Sequence, residues 1–113
     1  MKITCKIYRP LSERNKKKYL ELELNNNDLQ VVEKNHTDTN KFIQNNKIKN
    51  PLDGNVLEVK IPYRYKKLSC KVSGLKQIEE YKKGENVTLD VEYCGVWNIG
   101  EWSGFAWKVN EIF

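Results

Sequence analysis

Alternation with a period of two recurs along this chain and constrains its fold more than any other feature. In KITCKIYR (2–9), Ile3, Cys5 and Ile7 fall on one side, with Lys2, Thr4, Lys6 and Tyr8 on the other. YLELEL (19–24) sets Leu20, Leu22 and Leu24 against Tyr19, Glu21 and Glu23. The pattern returns in Val56–Ile61, in NVTLDVEY (86–93) and in FAWKV (105–109). Successive side chains of a strand point to opposite faces, so each segment is predicted as a strand with one buried face. The later inward sets are Leu57, Val59 and Ile61; Val87, Leu89, Val91 and Tyr93; and Phe105, Trp107 and Val109.

The segments between are read from turn chemistry and spacing. Pro10 is expected to end the first strand or mark a sheet edge. LSERNKKK (11–18) reads as a polar turn. The first two alternating segments are either two strands or one long bent strand. NNND (25–28) is turn chemistry, since Asn and Asp tolerate left-handed backbone. LQVV (29–32) reads as a short strand, and the Asn-rich remainder up to PLDG (51–54) as a long loop with a helical turn. NVLEVKIPYRYKKLSCKVSG (55–74) predicts a β-hairpin with limbs at 56–61 and 68–72. In LKQIEEYKK (75–83) the spacing becomes helical, with Leu75, Ile78 and Tyr81 on one face and Gly84 as the terminator. CGVWNIGEWSG (94–104) is expected to be a glycine-broken loop.

In order, this is an all-β chain with one short helix placed before the fourth of five main strands. That order matches a five-stranded Greek-key OB-fold barrel, forming a single domain over residues 1–113. In such a barrel the ligand lies across strands two and three, between the loops after strands one and four. Here those loops are LSERNKKK and CGVWNIGEWSG.

Charge narrows the partners. Twenty Lys and Arg against fifteen Asp and Glu give a net charge of +5. Residues 84–113 hold five carboxylates and only Lys108, so the positive excess belongs to residues 1–83. Such a surface suits a polyanion over part of its area, or it serves solubility alone. No apolar run is long enough for a membrane helix, and the alternating N-terminus does not read as a signal peptide, so an intracellular protein is expected. The three cysteines, Cys5, Cys70 and Cys94, are scattered and read as small buried hydrophobes. With His36 the only histidine and no CxxC pair, no metal site, cofactor or catalytic set is expected, and an enzyme is disfavoured.

Binding a single strand of nucleic acid needs cations along the phosphates and aromatic faces for the bases. IPYRYKKLSCK (61–71) supplies both in Tyr63, Arg64, Tyr65, Lys66, Lys67 and Lys71, with Lys60 just before and no acidic residue. The plain alternative is a tyrosine-rich strand whose lysines guard an edge. Lys6, Tyr8 and Arg9 repeat the theme on a smaller scale. Arg14 and Lys16 to Lys18 form a basic run that reads equally as a phosphate contact or a solvated surface, and Tyr19 is a weaker candidate. Trp107 belongs to the core by its alternation. Trp97 and Trp102 lie in the predicted loop, where a ring either stacks on a ligand or folds back to close the core.

The C-terminal third carries a resemblance. Gly84, the alternating 87–93, Gly95 to Trp97, and Gly104 to Trp107 followed by Lys108 form a series. It is similar to the end of OB-fold single-stranded-DNA-binding proteins of bacteriophages and large DNA viruses. The resemblance covers residues 73–112. It implies sequence-tolerant binding of single-stranded DNA in replication, recombination or repair of a viral or mobile genome. It also implies a tendency to dimerise or assemble further through sheet edges. Such proteins often end in an acidic tail, whereas here NEIF follows directly on the last strand. Two other readings stay open: an RNA-binding OB module, and a protein-interaction domain using its Trp-rich segment.

Overall fold

All five alternating segments are strands, and the side chains assigned inward are buried, with Tyr93 only partly so. The computed structural model describes residues 1–113 and is mainly β, with a single α-helix. The long strands are β1 (Lys2–Arg14), β2 (Lys17–Glu23), β5 (Val56–Ile61), β9 (Asn86–Ile99) and β10 (Trp102–Ile112). Shorter ones are β3 (Lys47–Lys49), β4 (Leu52–Asp53), β6 (Tyr63–Arg64), β7 (Lys67–Leu68) and β8 (Lys71–Val72). The helix, α1, spans Asn26–Thr39.

The long strands pair into a ring. β1 is antiparallel to both β2 and β9, β2 to β5, and β9 to β10. β10 returns to β5 in parallel through the pair Lys108 and Lys60. The fourth long strand thus lies beside the first, and the fifth closes onto the third. Inside are Ile3, Cys5 and Ile7 of β1, Leu20 and Leu22 of β2, and Leu57, Val59 and Ile61 of β5. Val87, Leu89 and Val91 of β9 meet them, with Trp107, Val109 and Ile112 of β10. No helix of the chain is long and apolar enough to cross a membrane.

The structure corrects the reading between these strands. KITCKIYR and YLELEL are two strands of one hairpin, and β1 runs on through Pro10 to Arg14. The register shifts between Ile7 and Arg9 and again between Arg9 and Ser12, so Pro10 sits where the ladder is interrupted and its missing N–H costs nothing. The polar turn shrinks to Asn15 and Lys16. LQVV is not a strand but the early part of α1. Asn25 caps that helix by accepting the Asp28 amide at 2.8 Å, and Leu29, Val32 and His36 share its inward face.

The expected hairpin limb at 68–72 does not pair with β5. Instead β6 and β7 form a small separate sheet, and β8 runs parallel to the end of β10. Residues 75–83 contain only a short 3-10 turn at Ile78–Glu80 in place of the predicted helix. Both ends of that segment are fixed. Gly74 lies so close to the Phe113 backbone that a Cβ would meet its carbonyl carbon at 2.8 Å. Gly84 donates its amide to the Ile7 carbonyl, and Ile7 donates to Glu85 in return. These tertiary ties override the local helical spacing. Ile78 and Tyr81 still reach the core, while Leu75 is fully exposed. Among the cysteines Cys5 is buried, Cys70 is half-buried and Cys94 is exposed, so Cys94 departs from the expectation.

Residues 94–104 are not a loop. β9 and β10 form one long hairpin with a two-residue turn at Gly100 and Glu101, where Gly100 takes a φ of 58°. β1 accompanies β9 only as far as Asp90. Beyond that point the hairpin projects as an arm, supported by β3 along the start of β10.

Candidate nucleic-acid interface

A cleft of about 700 Å³ lies over the outward face of β2 and β5. The same alternation that buries Leu20, Leu57 and Val59 turns Tyr19, Glu21, Glu58 and Lys60 into it. Arg14, Asn15 and Lys17 of the β1–β2 turn line it, as do Lys49 to Pro51 and Asp53 from the β3–β4 region. Trp97 and Ile99 line it from the β9–β10 arm.

The cleft mixes charge. Arg14 is committed to Glu58 through two hydrogen bonds of 2.6 and 3.3 Å, and its guanidinium lies 4.5 Å from the centre of the Tyr19 ring. The hydrogen bond to Glu58 raises the Arg14 pKa further. Lys17, Lys49 and Lys60 make no ion pair and remain free to meet an anion. Arg14 therefore orders the floor and fixes the Tyr19 ring, while the three lysines carry the usable positive charge.

The tryptophans divide by their surroundings. Trp97 seats its ring on Gly104: a Cβ there would lie 2.6 Å from Trp97 Cζ2 and 2.7 Å from the Lys49 carbonyl oxygen. Only glycine lets the ring lie flat against the strand, and the half-buried ring then walls the cleft. Trp102, at the tip of the arm, is 41% exposed, with the Lys47 and Lys49 ammonium groups each 5.8 Å from its ring. Lys47 also bonds Glu101 at 2.9 Å. Trp107 is buried, as its alternation required.

Helix α1 holds the arm in place. The Trp107 indole donates to His36 Nε2 at 2.9 Å, and the imidazole stacks on Phe105 with ring centres 4.2 Å apart. Thr39 and Tyr93 share a hydrogen bond of 2.7 Å between their hydroxyls. Accepting the indole proton requires a lone pair on Nε2, and burial pushes the His36 pKa down to about 4, so the ring is neutral near pH 7.

The remaining candidates from the sequence lie elsewhere. Of the twelve, only Lys60 and Trp97 line the cleft. Tyr63 turns inward: its hydroxyl donates to Glu79 at 2.8 Å and Lys18 lies 4.7 Å from its ring centre. Burial and Glu79 together push its pKa up to about 12. Arg64, Tyr65, Lys66 and Lys67 are exposed on the β6–β7 hairpin. Lys71 faces Glu111 at 3.8 Å. On β1, Arg9 pairs with Glu21 at 3.6 Å, Tyr8 lies under Lys83, and Lys6 is exposed. The structure also brings in residues the sequence reading ranked low or missed: Arg14, Lys17, Tyr19 and Lys49. The signal for Tyr19 was its place opposite Leu20 and Leu22. Lys49 had no signal, because the register of β3 on β10 cannot be read from alternation.

No family model matches this chain, and neither a curated protein nor a solved structure matches it.

Proposed function

We propose that this chain binds single-stranded nucleic acid, DNA first, in the cleft over β2 and β5, and that its ring of strands is a variant OB barrel. The observation that carries this is the position of the cleft. It lies across the second and third long strands, between the turn of the first hairpin and the arm made by the last two strands. That is where an OB fold holds an oligonucleotide. The strand order supports the reading: three consecutive long strands with the fourth returning beside the first is a Greek key. The helix departs from the expected pattern, lying between the second and third long strands instead of before the fourth.

The chemistry suits a sequence-tolerant ligand. Tyr19 and Trp97 offer flat faces, and Lys17, Lys49 and Lys60 meet phosphates. Glu21, Asp53 and Glu58 repel phosphate, so the bases face the floor and the phosphates follow the lysines along the rim. With about three phosphates neutralised, log K falls with log salt at a slope of about −2. A role in replication, recombination or repair of a viral or mobile genome rests on the resemblance of the C-terminal third.

The test is a fluorescence-anisotropy titration with oligo-dT and oligo-U at low and moderate salt. Saturable binding that weakens by about tenfold in Trp97→Leu with Lys60→Ser is expected. No saturable binding of either oligomer at low salt sinks the proposal, and a preference for oligo-U assigns the site to RNA. A second reading has one observation in its favour. Ile99 and Trp102, paired across the arm's tip, are both exposed. That apolar pair suits a protein partner.

A further inference from the structure

The β6–β7 hairpin stands apart from the main sheet, and its apex makes no packing contact that would explain its sequence. Tyr65 is 92% exposed, whereas Tyr63 two residues earlier is tied to Glu79 and Lys18. Tyr65 and Lys66 form the two-residue turn with φ of 53° and 63°. Both are left-handed, a conformation that disfavours residues with a Cβ and that Asn-Gly would adopt with little strain. A large ring has been placed on a strained, solvent-facing apex. Such strain without a structural return points to a contact made outside the chain.

The surrounding charge gives that contact a direction. Lys17 lines the cleft, and the next residue, Lys18, lies against the Tyr63 ring at the base of the hairpin. Lys18 also pairs with Ile61, which sets the β1–β2 turn beside the start of the hairpin. Arg64, Lys66 and Lys67 continue the cations outward, and none of them meets a carboxylate. Positive charge thus lies at the cleft rim, at the base of the hairpin and around the exposed ring.

We infer that Tyr65 is a second stacking point for the strand bound in the cleft, reached only by a strand long enough to leave it. This rests on the cleft being the primary site. With Lys17, Lys49 and Lys60 to meet one phosphate each, the cleft is matched to about three nucleotides. Tyr65 lies five residues beyond Lys60, at most about 16 Å along an extended chain. The full contact therefore needs about six nucleotides, within the span a single OB domain covers.

The experiment compares labelled oligo-dT of about four and about twelve nucleotides on the full chain, as wild type, Tyr65→Asn and Tyr65→Phe. Asn accepts the left-handed turn, so loss of the ring is not confused with loss of the fold. Tyr65→Asn is expected to weaken the long oligomer by about tenfold and the short one by less than about twofold, while Tyr65→Phe matches wild type. Equal weakening of both lengths, or of neither, overturns the inference. If wild type holds the long oligomer but not the short one, and Tyr65→Asn abolishes that binding, the hairpin contact stands and the cleft reading falls. Binding of neither length overturns both.

Discussion

The β9–β10 arm and the β6–β7 hairpin are both rich in aromatic residues, yet Trp97, Phe105 and Trp107 of the arm are used in the opposite way to Tyr65 of the hairpin. On the arm, Trp97 is pressed on Gly104, and Phe105 and Trp107 are both engaged by His36. On the hairpin, Tyr65 touches little and sits on left-handed backbone. A ring that packs stabilises the fold it packs in, by burial and by its polar tip. A ring held out on a strained turn lowers stability and is free to meet something else. Aromatic content therefore separates frame from contact only when the seat beneath each ring is known.

The arm's side of this comparison makes the strongest prediction. Gly104→Ala places a Cβ at 2.6 Å from the Trp97 ring and 2.7 Å from a backbone oxygen, so the ring or β3 must move. The expected loss is about 3 kcal/mol, read as a fall in Tm of about 10 °C. An unchanged Tm would mean that Trp97 is as free as Tyr65, and the contrast would fail.

The next effect is a pH dependence carried by His36. Its folded pKa is about 4, below the ordinary value near 6.5, because burial disfavours the imidazolium. The unfolded chain therefore binds this proton more readily. The stabilising effect of a neutral His36 is complete above about pH 6.5 and is lost as pH falls toward 4. Between pH 7 and 4.5 the loss is about 2 kcal/mol, allowing for some contact of the ring with water. Urea midpoints at the two pH values measure it, and His36→Gln, which keeps an acceptor for the Trp107 indole, should flatten the dependence. Asp90 and Glu85, held low by the Met1 amino group and by Lys76, lose their contributions only as pH falls through their own depressed values.

Much of this frame was legible because alternation reports burial directly. Leu20, Leu22, Leu57, Val59, Val87 and Leu89 each follow from period two alone. The cleft floor was legible by the same rule, since Tyr19 and Lys60 are the outward partners of inward residues. What failed was whatever depends on distant contacts. The helix at 26–39 was hidden behind Asn-rich composition, although Asn25, Asp28, Leu29, Val32 and His36 spell a capped helix once their spacing is counted. Glycine at 95, 100 and 104 is a loop signal by composition alone. In fact Gly95 takes a φ of 95° at a bulge, Gly100 turns the hairpin and Gly104 seats a ring. All three are roles glycine plays within or at the ends of strands. The basic–aromatic segment 60–71 is divided between cleft, base and apex, and that division depends on a turn whose place no local pattern marks.

Tyr63 sharpens the comparison from inside the hairpin. It is the anchored partner of the free Tyr65, and Tyr63→Phe removes only its hydrogen bond to Glu79. The expected loss is about 1 kcal/mol, or about 4 °C in Tm, with oligonucleotide binding unaltered. A larger effect on binding than on stability would mean that the anchor itself meets the ligand.

The smallest expected change has the opposite sign. Replacing Tyr65 and Lys66 by Asn and Gly supplies the residues that a turn with two left-handed positions favours. Removing the ring exposes no core, because the ring covers none. The double variant should therefore be more stable than wild type by about 0.5–1 kcal/mol, seen as a rise in Tm of a few degrees. The same variant should bind a long single strand less tightly. Stability and binding moving apart in one protein is the signature of a residue kept for contact at some expense to the fold. Moving together, with both falling, would instead make Tyr65 part of the frame and erase its difference from the rings of the arm.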